Sequence, residues 1–313
     1  MLAPSVYTPP PGGQTCPVSA ACGRVTVRAP AKVNLIFRVV GRRSDGYHLI
    51  ESLMVPVSIY DELEIAVRPG VPRVACRVVG PSEVKGGPMN LAAQAARRVL
   101  AELNARAAVE IKLRKRIPAG AGLGGGSSDA AAVLRVLPRL LGRRLGQARL
   151  LELGAALGAD VPFFVFGRPA VARGIGEQLE PVADFPPLAL LVTVPPARVP
   201  TAWAYARALG SLTSKKRRNT RALRPRPTLA GIVEALHNDF QAGVGRAFDD
   251  VPRLVSTLRG LGARGVVMSG SGSAVVGVFE SLRKAREAAE AIAPPDLAFV
   301  ARVLRGRPAP IWR

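Results

Sequence analysis

Residues 117–129 read IPAGAGLGGGSSD, and Leu123 is the one large side chain between residues 119 and 126. The preceding AAVEIKLRKRI alternates as a strand does, and the following SSDAAAVLRVL predicts a helix that Ser127 or Ser128 can cap. Glycine lets a backbone approach a ligand closely, and the first amides of a helix are unpaired donors that suit phosphate. The flanking elements favour a phosphate-binding loop over the alternative, a flexible linker.

Two well-known phosphate motifs do not fit this loop. A P-loop requires a lysine after its last glycine, and no lysine occurs between Ile117 and Leu134. The letters GAGLGG match GxGxxG, but a dinucleotide site also needs an acidic residue about twenty positions later, where the chain reads LLGRRLG. A different nucleotide-binding loop is therefore expected.

The elements on either side predict an α+β chain. Residues 24–40 read as two strand-like pieces that meet near Pro30, and a hairpin turn at Asp45-Gly46 precedes another strand-like stretch. A helix is expected after Asn90, and the apolar run ADVPFFVFG is expected to be a compact strand. The second half mixes strands and helices, which predicts a small antiparallel sheet backed by helices. A length of 313 residues favours two domains, pictured as two lobes with a cleft between them.

The charge balance leaves two interpretations open. The chain has 44 Lys and Arg against 22 Asp and Glu, a net charge of +22, which suits polyanionic partners or reflects an arginine-rich surface. The basic run at 214–226 raises a nucleic-acid-binding alternative, but no aromatic residue occurs between Leu212 and Arg226 to stack on bases. We therefore expect no specific nucleic acid partner.

Cysteine usage and hydropathy predict a cytoplasmic protein. The three cysteines form no CxxC pair, which favours a reduced compartment. The proline-rich start lacks the pattern of a secretory signal, and the apolar run LALLVTV is too short to span a bilayer. We expect a disordered tail over residues 1–22, no membrane partner, and a monomer or weak homodimer.

The glycine loop resembles the ATP-binding motif of the GHMP kinases, the superfamily that includes galactokinase, homoserine kinase and mevalonate kinase. That motif has the form PxxxGLGxSS, and here it reads PAGAGLGGGSS. Within the superfamily the chain is similar to the kinases of the non-mevalonate isoprenoid route. Three further stretches carry that similarity: APAKVNLIFRVVGRRSDGYHLIESLM, LGADVPFFVFG and MSGSGSAVVGVF.

The resemblance implies the two-lobed GHMP kinase fold. The N-terminal ATP-binding domain, expected over residues 23–180, would be like the second domain of ribosomal protein S5. The C-terminal domain, expected over residues 181–313, would be ferredoxin-like. The active site would lie between the two lobes.

The resemblance also implies the reaction. ATP, accompanied by Mg²⁺, would phosphorylate the 2-hydroxyl of 4-(cytidine 5′-diphospho)-2-C-methyl-D-erythritol. Asp160 would take the proton of the hydroxyl, and Lys32 would favour the carboxylate and stabilise charge on the attacking oxygen. No protein ligand of the metal is assigned. The alternative, a kinase acting on mevalonate or homoserine, is disfavoured because those substrates have no base for the segment DGYH to bind.

The binding residues follow from the same motifs. On the cytidylyl substrate, His48 would bond the cytosine edge, Tyr205 or Trp203 would stack on the base, and Tyr47 would lie against the diphosphocytidyl part. The full substrate set is Asn34, Tyr47, His48, Tyr205, Gly270 and Gly272. The ATP set is Pro118, Gly120, Gly122, Leu123, Gly124, Gly125, Gly126, Ser127 and Ser128.

Overall fold

The computed structural model describes residues 23–80, 84–208, 223 and 225–312. The strands in these ranges are β1 (Gly23–Arg42), β2 (His48–Pro69), β3 (Arg73–Val79), β4 (Ala107–Arg114), β5 (Ala170–Arg173), β6 (Gln178–Pro181), β7 (Ala189–Val194), β8 (His237–Asn238), β9 (Gly265–Met268), β10 (Val275–Phe279), β11 (Leu297–Arg302) and β12 (Ile311–Trp312). The expected tail at 1–22 and most of the basic run at 214–226 lie outside the described residues.

The helices in the same ranges are short to medium in length. They are α1 (Leu91–Glu102), α2 (Gly125–Leu140), α3 (Gln147–Ala155), α4 (Val161–Phe166), α5 (Thr201–Trp203), α6 (Leu229–Ala235), α7 (Gln241–Gly245), α8 (Asp250–Gly260) and α9 (Leu282–Glu290), and a π-helical turn over Ala204–Ala208 continues α5. No helix within the described ranges is long and apolar enough to cross a bilayer.

The first sheet is built on a long hairpin of β1 and β2. Its strand order is β12-β1-β2-β4-β3, and β5, β6 and β8 join beside this path. The two strand-like pieces expected near Pro30 form one strand, in which the pairing register shifts between Pro30 and Ala31. A second shift follows Asn34. These irregularities flank the segment from Lys32 to Asn34, and such bulges commonly direct side chains at functional sites.

Alanine-rich helices cover the first sheet. Asn90 begins α1, and its side chain accepts a hydrogen bond from the amide of Ala92 at 3.0 Å. Alanines on α1 and α2 are fully buried in one core with the sheet. Small side chains let the two helices approach closely, so the glycine loop before α2 is attached to a rigid layer.

The second sheet is antiparallel, with strand order β11-β7-β10-β9. Helices α8 and α9 pack on it, as expected for a small sheet backed by helices. A continuous apolar core joins β1 and β2 of the first sheet to β7 and β10 of the second. The strands β8 and β12, both late in the chain, pair with β1. A domain boundary at residue 180 stays a prediction.

Two local expectations were wrong. The apolar run ending at Phe166 forms helix α4 instead of a strand, because all six of its residues are buried and a uniformly apolar run does not distinguish the two. Ser127 and Ser128 do not cap α2, since the helix begins earlier, at Gly125, and Gly124 occupies the cap position. Glycine serves there because the cap residue has φ +71°.

Candidate active site

A cleft of about 1550 Å³ opens between the two lobes. It brings together most of the residues expected from the sequence, although they come from distant parts of the chain. Those that line it are Lys32, Asn34, Tyr47, His48, Pro118, Gly120, Gly122, Leu123, Gly124, Gly125, Gly126, Ser127, Asp160, Tyr205 and Gly270. Two expected residues, Ser128 and Gly272, do not line it.

The backbone of the glycine loop lines part of the cleft. Gly120, Gly122 and Gly124 have φ values of +70°, +76° and +71°, which only glycine adopts without strain. A β-carbon on Gly122 would collide with the carbonyl oxygen of Ser269, and one on Gly124 would lie 2.8 Å from the ring of Phe164. Gly122 and Gly124 are therefore required for space as well as for conformation.

No side chain caps the start of α2. The cap residue is Gly124, which has no side chain to accept a hydrogen bond from the first turn, so the first backbone N–H groups of the helix remain available as donors. The positive end of the helix dipole adds to their attraction for an anion. This arrangement suits phosphate groups entering from the cleft.

Lys32 and Asp160 face each other beside the loop. Lys32 Nζ lies 3.7 Å from Asp160 Oδ2, and the lysine is 4% exposed while the aspartate side chain is 37% exposed. Lys32 Nζ also donates a 2.6 Å hydrogen bond to Asn34 Oδ1, two residues along β1 and on the same face. The ammonium group is thus held firmly while the carboxylate remains open to a ligand.

Asp160 is not occupied in capping a helix. It stands at the cap position before α4, but its side chain makes no capping hydrogen bond. A structural explanation for this aspartate, that it stabilises the helix start, is therefore not supported. Its carboxylate is left to the cleft.

Asn34 links Lys32 to the surrounding strands. Its Nδ2 donates to Ser52 Oγ at 2.7 Å, and Ser52 Oγ donates in turn to the carbonyl of Ile36 at 2.7 Å. Asn34 is 1% exposed, and both ends of its amide are engaged within the protein. This geometry favours a role in positioning Lys32 over the direct substrate contact expected from the sequence.

The second glycine loop, residues 269–273, closes against the first. Ser269 Oγ accepts from the backbone N–H of Asn34 at 3.1 Å and donates to the Gly122 carbonyl at 3.3 Å. Asn238 Nδ2 donates to the carbonyls of Met268 and Gly270 at 2.6 and 2.8 Å. The two loops and β1 form one hydrogen-bonded unit, a role for Ser269 and Asn238 that sequence reasoning did not predict.

Stacked aromatic rings form another part of the cleft wall. The rings of His48 and Tyr205 are stacked with centroids 4.9 Å apart, and Tyr205 contacts the edge of Phe240 at 4.9 Å. Trp203, the alternative to Tyr205, packs instead against Phe248 at 5.0 Å and does not line the cleft. Between the two aromatics considered, the geometry favours Tyr205.

The protonation of this stack follows from its surroundings. Burial lowers the pKa of His48, and the positive charge of Arg42 lowers it further, so the neutral imidazole is favoured near pH 7. Burial, with the negative charge of Asp160, raises the pKa of Tyr205 to about 12. Both rings are therefore uncharged, as suits stacking on a neutral base.

A buried charge cluster beneath the glycine loop was missed by the sequence analysis. Lys115 Nζ donates to Asp61 Oδ2 and, at 2.9 Å, to Asp129 Oδ2. Asp61 Oδ1 also accepts from the amides of Arg116 and Ile117, at 2.6 and 2.9 Å. The cluster ties β2, the start of the loop and the first turns of α2 together. Asp61 and Lys115 are 54 residues apart, so no local pattern indicates their pairing.

Burial raises the pKa of Asp129 to about 8. The negative charge of Asp61 adds to this effect, while Lys115 opposes it. Asp129 Oδ1 has no hydrogen-bond partner among the described residues. The cluster therefore holds one carboxylate that is reluctant to ionise.

Comparison with protein families identifies two matching regions. Residues 90–168 match the family described as GHMP kinases N terminal domain, and residues 222–294 match the GHMP kinases C terminal family. The first region contains the glycine loop and Asp160, and the second contains the second glycine loop.

Curated relatives share one description. A 4-diphosphocytidyl-2-C-methyl-D-erythritol kinase from Syntrophotalea carbinolica is 43% identical over 263 residues, covering 84% of this chain and 92% of that protein. A protein of the same description from Citrifermentans bemidjiense is 42% identical over 291 residues, covering 90% and 98%.

Solved structures agree with these relatives. A crystal structure of 4-(cytidine 5′-diphospho)-2C-methyl-D-erythritol kinase is 40% identical, with a TM-score of 0.72 and coverage of 89% of this chain and 98% of that one. A homoserine kinase from Cytophaga hutchinsonii is 20% identical, with a TM-score of 0.66 and coverage of 99% and 100%. The latter likeness is one of fold.

Proposed function

The chain belongs to the 4-diphosphocytidyl-2-C-methyl-D-erythritol kinases of the GHMP kinase family, and we propose that its cleft carries out their phosphoryl transfer with Lys32 and Asp160 as the catalytic pair. The reaction moves the γ-phosphoryl group of ATP to the 2-hydroxyl of 4-(cytidine 5′-diphospho)-2-C-methyl-D-erythritol. The products are the 2-phosphate and ADP, in the non-mevalonate route to isopentenyl diphosphate.

The glycine loop holds the phosphates of ATP. The uncapped amides at the start of α2 donate to phosphate oxygens, and the left-handed glycines let the backbone come within hydrogen-bonding distance. Because amides at a helix start are fixed in direction, they hold the γ-phosphoryl group in line for transfer. Pro118 and Leu123 shape the loop: proline has no N–H to donate, and the leucine side chain is apolar.

Lys32 and Asp160 act on the accepting hydroxyl. The Asp160 carboxylate, open to the cleft, takes the hydroxyl proton as the oxygen attacks phosphorus. The Lys32 ammonium, held by Asn34, stabilises negative charge on the attacking oxygen and on the transferring group. The bond to phosphorus forms as the bond to the ADP oxygen breaks, and ADP leaves with the electron pair.

Magnesium accompanies ATP in this proposal. Mg²⁺ keeps several waters and takes few protein ligands, so one or two oxygens beside the phosphates suffice. Ser127 offers such an oxygen, since it lines the cleft on the first turn of α2. Within the described residues no group of three or more acidic, histidine or cysteine side chains could hold a metal by itself. When bound, the ion neutralises charge on the phosphates.

The aromatic stack binds the cytidylyl end of the substrate. The neutral imidazole of His48 has one donor and one acceptor, matching the polar edge of cytosine. Tyr205 supplies a ring on which the base stacks, and Tyr47, 61% exposed at the cleft rim, lies against the diphosphocytidyl part. Gly270 lies beside Lys32 and Asn34, because a β-carbon on it would be 3.5 Å from Lys32 Nζ and 3.1 Å from Asn34 Oδ1.

We also propose that the protein works in the cytoplasm on small molecules alone, without a nucleic acid or membrane partner, as a monomer or weak homodimer. The cysteine described by the structure, Cys76, is buried and unpaired, which suits a reducing compartment. Light scattering over a range of concentrations tests the oligomeric state. A tight tetramer would contradict it.

The observation that carries the assignment is the 3.7 Å approach of Lys32 Nζ to Asp160 Oδ2 in a cleft shared with the glycine loop and the aromatic stack. ADP release should be measured with ATP and magnesium, comparing the cytidylyl substrate with mevalonate, homoserine and galactose. We expect turnover with the cytidylyl substrate alone. Turnover with another of these alcohols would overturn the substrate assignment, and no turnover with any would overturn the reaction.

A further inference from the structure

Four arginines gather on the first lobe, away from the cleft. Arg135 and Arg139 lie one turn apart on α2, Arg168 follows α4, and Arg307 belongs to the segment before β12. We term these residues the arginine cluster. None of them is among the residues that line the cleft. Since a helix rises about 1.5 Å per residue, Arg135 lies roughly 15 Å along α2 from the glycine loop.

Phe166 fixes two of these side chains in place. Arg307 donates from Nε and Nη2 to the Phe166 carbonyl, at 3.3 and 3.0 Å. Arg168 places its Cζ 4.7 Å from the centroid of the Phe166 ring. Gly167 is required at this point, because a β-carbon there would collide with the side chain of Arg307. The two guanidinium groups are therefore oriented before any ligand binds.

The positive charge of the cluster is not balanced within the described residues. No carboxylate in the described ranges pairs with any of the four arginines. Burial, with the charges of Arg307 and Arg139, lowers the pKa of Arg135 to about 10. Burial and the charges of Arg168 and Arg139 lower the pKa of Arg307 as well. A bound anion would relieve this repulsion.

We propose that the arginine cluster binds a small phosphorylated ligand through a diphosphate group, at a second anion site distinct from the cleft. Guanidinium groups match phosphate oxygens in a bidentate manner. One phosphate group carries about −1.5 to −2 charge near pH 7, and a second phosphate adds further negative charge, so a diphosphate offsets more of the charge of four arginines than one phosphate does.

A nucleic acid backbone is the less suitable occupant. Binding of single strands usually adds aromatic rings on which bases stack. The ring nearest the cluster, Phe166, is only 8% exposed and is covered by Arg168. The cluster thus offers charge without a stacking surface, which suits a compact anion.

Calorimetry with inorganic pyrophosphate tests the site on the full chain. Three proteins are compared: the unchanged protein, the double variant Arg135→Gln/Arg307→Gln, and the charge-matched control Arg24→Gln/Arg283→Gln, whose arginines pair with Glu64 and Glu287 on the surface. We expect two pyrophosphates per chain in the unchanged protein and the control, one in the cleft and one at the cluster. The cluster variant should bind one in the same concentration range, because its affinity for pyrophosphate at the arginine cluster should be at least tenfold weaker than in the unchanged protein.

Equal stoichiometry in all three proteins would overturn the proposal. Kinase turnover of the cluster variant, measured in parallel, should stay within about twofold of the turnover of the unchanged protein. This measurement separates loss of binding at the arginine cluster from damage to the cleft. If Arg135→Gln/Arg307→Gln does not fold, the exposed pair Arg139→Gln/Arg168→Gln gives the same comparison. Tighter binding of an oligonucleotide without terminal phosphates, lost in the cluster variant, would replace the proposed ligand with a nucleic acid.

Discussion

Lys32 Nζ lies 3.7 Å from Asp160 Oδ2, although the two residues are on different elements and 128 positions apart in the chain. The lysine is nearly buried and fixed by Asn34, whereas the carboxylate is partly exposed and has no capping bond. One partner is therefore held and the other is free to meet a ligand. This asymmetry is what a positioned cation and a proton acceptor require.

Replacing Asp160 with asparagine should remove the proton acceptor while keeping the shape of the site. We expect turnover to fall about a hundredfold or more, since general-base catalysis contributes on that order. Thermal stability should change little, because the side chain makes no hydrogen bond to the start of α4. Steady-state kinetics and a melting curve check both statements. Asp249→Asn is the control, because Asp249 stands at the cap position of α8 and also makes no capping hydrogen bond. Near-normal turnover of Asp160→Asn would contradict the assigned role.

Replacing His48 with alanine should weaken the cytidylyl substrate and spare ATP. Loss of the hydrogen bond to the cytosine edge is worth about 0.5–1.5 kcal/mol, a several-fold rise in KM for that substrate. The other histidine gives a matched control, as His237 pairs with Asp239 at 2.7 Å and does not line the cleft. Equal weakening of both substrates by His48→Ala would argue against base recognition.

Alanine substitutions separate conformation from space in the glycine loop. Gly142, outside the loop, has φ +68° and open space where a β-carbon would stand, whereas Gly124 has φ +71° and its β-carbon would meet the Phe164 ring at 2.8 Å. Gly142→Ala should lower the unfolding free energy by about 1 kcal/mol from φ strain alone and leave turnover unchanged. Gly124→Ala should be destabilised further and should bind ATP more weakly. Denaturant unfolding and ATP titration measure the difference, and identical effects would show that the close contact has no role.

The buried charge cluster predicts a dependence of stability on pH. The pKa of Asp129 is raised to about 8, so between about pH 4 and pH 8 the folded protein binds this proton more strongly than the unfolded chain. The contribution of Asp129 to stability is therefore present at low pH and is lost as pH rises through 8.

Asp129→Asn should remove that slope. The unfolding free energy of the variant relative to the unchanged protein should rise by up to about 4 kcal/mol between pH 5 and pH 8. Urea unfolding at several pH values measures it, with Asp296→Asn as a carboxylate control outside the cluster. A difference that stays constant from pH 5 to pH 8 would mean that Asp129 is ionised in the folded protein.

Features of the fold that are encoded by a few adjacent residues could be predicted from the sequence. The glycine loop, the Asn90 cap and the hairpin turn at Gly46 are encoded in a few adjacent residues, and each occurs as expected. The start of α2 was predicted too late in the chain, because serine is a common cap residue. Three consecutive glycines, residues 124–126, gave no indication that the first of them adopts the left-handed conformation and is the cap. Helix α4 was mistaken for a strand because its burial on all sides removes the periodicity that distinguishes the two.

The rest of the site depends on contacts between distant segments. Asn34 reaches Ser269 across 235 positions, and Lys115 reaches Asp61 across 54. Such pairs leave no spacing pattern, since the topology of the sheets brings them together. The resemblance supplied Lys32 and Asp160, but the residues that hold them required the structure.

The apolar core that joins β1 and β2 to β7 and β10 has a consequence for how substrates enter. Val33, Val55, Leu190 and Val276 of this core are fully buried, and a hinge opening between the lobes would expose them to water at a cost of roughly 1.5–3 kcal/mol for each large side chain. Opening of the cleft by separation of the lobes is therefore costly, and this core favours a cleft of fixed width.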